Sequence, residues 1–142
     1  MAEITGRILG IDYGEKRIGL ALSDPLGMTA QPLQTLQRTR TKEDLDALAA
    51  IISEHDVTRI VIGLPLNMDG TEGFMVDSMR AFSGALHDLI SLEIIEVDER
   101  LTSHQASHAL TSASVKGKKR KQKTDIIAAQ IILQTHLDSL SN

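Results

Sequence analysis

Apolar positions in the first quarter of the chain fall in short extended runs. In "RILGIDYGEKRIGLALSD" (residues 7–24), runs at 7–13 and 17–22 flank "GEK", a separation short enough for a hairpin. A third extended piece, "AQPLQTLQ" (30–37), follows a turn marked by Pro25 and Gly27, and Pro32 within it points to a sheet edge or a strand start. From residue 41 the period changes. "TKEDLDALAAIISEH" places Leu45, Leu48, Ile51 and Ile52 on one helical face, with Thr41 as the predicted N-cap. "RIVIGLP" (59–65) is an apolar run of the kind found in buried parallel strands, and "NMDGTEG" after it reads as a loop. The next helix carries a core stripe of Met75, Met79, Phe82, Leu86 and Leu89. "EIIEVDER" (93–100) is a further strand, and Ser103 begins a short helix. A basic loop then precedes the last helix, "TDIIAAQIILQTHLDSL" (124–140).

This order, β-β-β-α-β-α-β-α-α, predicts an α/β fold: a five-stranded mixed sheet, three antiparallel strands and then two parallel ones, with helices on its faces. Residues 1–142 read as a single domain, without repeats or linkers. The absence of cysteine excludes disulfides and thiolate metal sites and fits a reducing, cytoplasmic compartment. No run approaches the roughly 20 apolar residues needed to cross a bilayer, and "MAEITGR" lacks the order of a signal peptide, so no membrane role is expected.

Charge changes the picture. The net charge of −4 is unevenly spread: "KGKKRKQK" (116–123) holds Lys116, Lys118, Lys119, Arg120, Lys121 and Lys123, and without these six the chain stands at −10. A concentrated basic segment on an acidic body is a localised site for a polyanion. With no apolar residue to anchor it, the segment is expected to be mobile until nucleic acid orders it.

Three stretches place carboxylates where an apolar strand or a helix ends or begins. Asp12 closes the first strand, Asp98 and Glu99 close the fifth, and Asp125 opens the last helix. Each has an ordinary reading. Asp12 fits a turn, Asp98 and Glu99 a solvated strand end with Arg100, and Asp125 a first-turn acid after the N-cap Thr124. Together they admit a sharper one. A central first strand would gather all three at one sheet end, where they would hold one or two hard, oxygen-seeking cations such as Mg²⁺. Other signals fall away. "HQASH" spaces His104 and His108 like a zinc helix but lacks the glutamate and a third ligand. "NMDGTEG" has Ser78 where a calcium loop needs its closing glutamate.

"GIDYGEKRIGLALSD", "VIGLPLNMDGTEG", "VDERLTSHQA" and "KTDIIAAQIILQ", in that order, resemble the YqgF (RuvX-like) family of pre-16S rRNA nucleases, also described as Holliday junction resolvase-like. The resemblance spans nearly the whole chain. It implies a ribonuclease H-like fold and a divalent-metal nuclease, using Mg²⁺ or Mn²⁺, with Asp12, Glu99 and Asp125 as catalytic acids and metal ligands. Glu99 is preferred to Asp98 on the family's "DER" pattern alone. The implied partner is nucleic acid: pre-rRNA, within a ribosome precursor, or branched DNA if the chain is a junction resolvase. A monomer or weak dimer is expected, because no exposed apolar stripe demands more. Beside the acids, Gly14 would allow close backbone approach, Lys16 and Arg17 would touch a phosphate backbone, and Asn67 would contact substrate beyond a parallel strand. Arg100 would either position a phosphate or pair with Asp98.

Two other classes compete. "IDYG" also suits the phosphate loop of actin-like ATPases and sugar kinases, but that machinery closes two such domains around a nucleotide, and this chain has length for one. A non-catalytic RNA-binding assembly factor would share the basic segment. With Tyr13, Phe74 and Phe82 as the only aromatics, base stacking cannot dominate recognition under either reading.

Overall fold

The computed structural model describes residues 6–100 and 117–140, with side chains in the second stretch from Lys123 onward. Five strands, β1 (Arg7–Asp12), β2 (Arg17–Ser23), β3 (Ala30–Gln37), β4 (Val57–Leu64) and β5 (Ile94–Asp98), form one sheet in the order β3-β2-β1-β4-β5. The β1–β2 and β2–β3 pairings are antiparallel, whereas β4 adds parallel to β1 and β5 parallel to β4. The expected mixed sheet, with β1 central, is therefore present. It has the topology of a ribonuclease H-like fold. Pro32 lies on the edge strand β3, where its missing N–H costs no central ladder bond.

Strand parity sorts the side chains onto two faces. Leu9 and Ile11 of β1, Ile18, Leu20 and Leu22 of β2, and Ile60 and Ile62 of β4 meet α1 (Thr41–Glu54) and α2 (Phe74–Ile90), burying Leu48, Ile51, Ile52, Met79, Phe82 and Leu86. The opposite face is thinner. There Ala21 and Val61 pack under Ala129, Ile132, Leu133 and Leu137 of α3 (Gly117–Leu140). Gln134 and Gln130 of α3 also reach the edge strand: Gln134 accepts from the Ala30 amide at 2.9 Å, and Gln130 donates to the Ala30 carbonyl at 3.1 Å. No described helix is long and apolar enough to cross a membrane.

Three local expectations are corrected. The N-cap of α1 is Arg40, without a side-chain cap bond, and not Thr41; Asp44 one turn in reaches back to the Thr39 amide and hydroxyl. On α2 Leu89 is half exposed, while Val76, outside the predicted stripe, is fully buried. Residues 117–123 are not a loop. Lys, Arg and Gln have high intrinsic helix propensity and nothing after Gly117 breaks the turn, so α3 starts seven residues earlier than its apolar stripe indicates. Asp125 consequently lies more than two turns inside the helix, and the first-turn dipole does not account for it. The short helix predicted from Ser103, the pair His104 and His108, and Lys116 fall outside the described residues.

Candidate active site

The alternation that buries Leu9 and Ile11 against α1 and α2 turns Asp12 to the α3 face. In the same way it turns Arg17 and Gly19 of β2 and Gly63 of β4 toward α3. Asp12 is opposite Gly19 in the β1–β2 register. A Cβ at Gly19 would overlap the backbone carbonyl of Asp125, so the bare strand lets α3 approach closely enough to bring Asp125 beside β1. Glu99 arrives from the other side. Its amide donates to the Leu64 carbonyl at 3.2 Å, extending the β4–β5 ladder by one residue. Its side chain then lies over Gly63, where any Cβ would collide with Glu99 Oε2.

The carboxyls of Asp12 and Glu99 are hydrogen-bonded to each other. Burial raises the Asp12 carboxyl well above the usual carboxylate range, and the charges of Glu99 and Asp125 and the Glu99 hydrogen bond push the same way. Glu99 is pushed up to about 7, first by burial and further by the charge of Asp98, against the opposing pull of its hydrogen bond with Asp12. Asp125 is held differently: Arg17 Nε donates to its Oδ2 at 2.7 Å. Among the described residues no three acids or histidines are gathered into a ready-made metal cage. What is present is a partly buried acid pair and a third acid close enough to act on Asp12. All the donors are oxygens, the set that suits a hard divalent cation.

The remaining predicted residues divide. Arg17 is committed to Asp125. Lys16 is exposed in the hairpin turn, its carbonyl accepting from the Arg38 amide at 2.9 Å, and the Gly14 carbonyl accepts from Arg38 Nη1 at 3.0 Å. Asn67 Nδ2 donates to the Thr71 hydroxyl at 3.0 Å and so shapes its own loop. Arg100 pairs with Asp98, Nη2 to Oδ2 at 2.8 Å, and its Nη1 reaches the Met68 carbonyl at 3.4 Å. In this structure Arg100 is paired with Asp98 and ties the 67–72 loop to the end of β5. Asp98 belongs to this clip, while Glu99 faces Asp12. Lys123 is exposed; the side chains of Lys118, Lys119, Arg120 and Lys121 lie outside the described residues.

Sequence reasoning missed the Arg17–Asp125 bridge, which joins residues 108 positions apart and leaves no local pattern. It also missed Gly19 and Gly63 as the gaps that admit two of the acids. Their signal was available: a glycine inside an apolar strand marks close approach of another group.

The family profile of RuvX, described as Holliday junction resolvase, matches residues 6–139. A protein from Syntrophus aciditrophicus named "Putative pre-16S rRNA nuclease" is 44% identical over 135 residues, covering 95% of this chain and 90% of its own length. One of the same name from Desulforamulus reducens is 47% identical, covering 94% and 97%. Among solved structures, Thermus thermophilus RuvC with a Holliday junction superposes at a TM-score of 0.63 with 10% identity, covering 96% of each chain. The fowlpox virus resolvase with its substrate junction superposes at 0.60 with 14% identity, covering 96% of this chain and 99% of its own. At such identities these structures share the fold.

Proposed function

The chain belongs to the RuvX family, and we propose that it is a divalent-metal-dependent endonuclease that cuts phosphodiester bonds of structured nucleic acid, with pre-16S rRNA as its substrate. The observation that carries this reading is the partly buried Asp12 and Glu99 with Asp125 beside them, three oxygen-donor side chains brought from three separate parts of the chain onto one face. A structural role does not explain them, because clustered acids under burial cost stability unless a cation is their purpose. Asp12, Glu99 and Asp125 would hold one or two Mg²⁺ or Mn²⁺ ions, which when bound lower the pKa of water and stabilise a leaving oxygen. The chain's own contribution is orientation. The Leu64 carbonyl fixes the Glu99 backbone, Gly63 gives its carboxyl room, and the rigid end of β1 carries Asp12. The six positive charges of residues 116–123 precede Asp125 and supply a grip on phosphates that is indifferent to base sequence.

Ribosomal RNA is favoured over branched DNA by the names of relatives that match 95% and 94% of the chain. Purified protein is incubated with a 16S precursor transcript, a generic single-stranded RNA and a four-way DNA junction, each with Mg²⁺ and with EDTA. Mg²⁺-dependent cleavage of the precursor, absent in Asp12→Asn, is expected. Cleavage of the junction alone would reassign the substrate, and binding without cleavage of any of the three would leave an RNA-binding assembly factor.

A further inference from the structure

The Arg17 guanidinium is the one cation bonded to the acid cluster among the described residues, and it occupies a carboxylate that a metal ion would need. Both partners are partly buried, at 24% and 20% side-chain exposure, so the pair is shielded from bulk solvent yet within reach of it. Arg17 stands at the start of β2, in register with Gln37, on a backbone that does not have to move for the side chain to turn. The guanidinium has no second partner among the described residues. Neither Asp12 nor Glu99 has a cationic side chain bonded to it among the described residues.

We propose that Arg17 is a counter-ion latch: it neutralises Asp125 while the site is empty and, once a divalent cation takes that carboxylate, is released to grip a phosphate of the nucleic acid beside the acids. This rests on the metal-nuclease reading above. A cation of two charges replaces one of a single charge at Asp125, so Asp125 is compensated in both states. The freed guanidinium then has the planar, multi-donor geometry that suits a phosphate. The coupling is reciprocal. Metal raises the affinity for nucleic acid through Arg17, and nucleic acid that holds Arg17 away raises the affinity for metal.

Mn²⁺ binding is measured by calorimetry on wild type, Arg17→Gln, Arg17→Lys and, as a charge control in the same turn, Lys16→Gln, each verified as folded by circular dichroism. Freeing Asp125 makes Arg17→Gln bind Mn²⁺ about 3- to 10-fold more tightly, the range expected for a partly buried ion pair lost as competitor. Arg17→Lys falls between it and wild type, and Lys16→Gln stays within about twofold of wild type. In EDTA the melting temperature of Arg17→Gln drops below that of wild type, and Mn²⁺ restores it. Binding of a labelled RNA is then measured in EDTA and in Ca²⁺; the Arg17→Gln defect is expected in Ca²⁺ alone. Equal Mn²⁺ affinities in wild type and Arg17→Gln, an equal gain in Lys16→Gln, or an RNA defect of the same size in EDTA overturns the latch and leaves the metal site standing. Failure of the wild type to bind Mn²⁺ overturns the metal-nuclease reading, and the latch with it.

Discussion

β1 ends between two arginine–aspartate pairs of nearly equal length, one on each face of the sheet. On the Tyr13 side Arg38 Nε lies 2.8 Å from Asp44 Oδ2; on the Asp12 side Arg17 Nε lies 2.7 Å from Asp125 Oδ2. The first pair is closed. Asp44 also accepts from the Thr39 amide at 3.1 Å, Arg38 also donates to the Gly14 carbonyl, and its guanidinium sits 5.1 Å from the ring centroids of both Tyr13 and Phe82. The second pair has a single bond and a partly buried acid, Asp12, for a neighbour. Bond length does not distinguish a strut from a movable contact. The number of other partners does, because a group held by four interactions cannot exchange one without losing the rest.

Substitutions should separate the two pairs by what they damage. The largest effect is expected on the Asp12 side: Asp12→Asn lowers cleavage by at least about 10³-fold, the scale on which removing a group that stabilises developing charge is felt. It also leaves the metal-free melting temperature unchanged or higher, since a source of repulsion is gone. A clear loss of stability would make Asp12 structural. Asp44→Ala is the mirror image. It strands Arg38 beside two rings and is expected to cost about 2–4 kcal/mol in chemical denaturation, with cleavage per folded molecule near wild type. A cleavage defect larger than the unfolded fraction explains would make the strut part of the site.

Smaller effects sharpen the contrast. Gly63→Ala forces Glu99 and Ile132 aside and is expected to reduce cleavage about 10-fold while costing roughly 1–3 kcal/mol of stability, the ordinary range for overpacking. An unchanged rate would show that Glu99 tolerates displacement. The smallest effect concerns pH. Burial by itself would raise the Asp44 carboxyl, but the bonds from Arg38 and Thr39 outweigh it and hold the folded pKa below the ordinary value. The stability this contributes is fully present above the unfolded carboxylate pKa, near 3.9, and is lost as pH falls through the lower folded value. Denaturation at several pH values should therefore show a shallower acid-side loss in Asp44→Asn than in wild type; parallel curves would remove Asp44 from the account.

The sheet was legible because each strand's parity is written locally: Leu9 and Ile11 against Gly10 and Asp12, Ile18 and Leu20 against Arg17 and Gly19. A charged residue closing an apolar run exposed Asp12 in the same way. Glu99 was not separable from Asp98 by composition, since adjacent acids at a strand end differ only in which face each takes. It is the extra ladder bond to Leu64 that turns Glu99 inward. The start of α3 was misread because a charge run resembles a loop in hydropathy while favouring helix in propensity. Arg17–Asp125 and Arg38–Tyr13–Phe82 are contacts across the fold, and no window of sequence contains them.

The early start of α3 has an electrical consequence. Asp125 lies level with Gly19 at the end of the sheet, so residues 117–124 run on past it for about 12 Å at ~1.5 Å per residue. That overhang is longer than the screening length of about 8 Å in physiological salt. The start of the helix and the acids are thus screened from each other, and a basic run and an acidic cluster coexist at one end of the sheet without cancelling. In dilute buffer the screening length grows to roughly 30 Å and the two become a single field. A cation approaching the acids then meets the repulsion of the arm as well as the attraction of the acids, so the arm's contribution to Mn²⁺ affinity is read from its change with ionic strength.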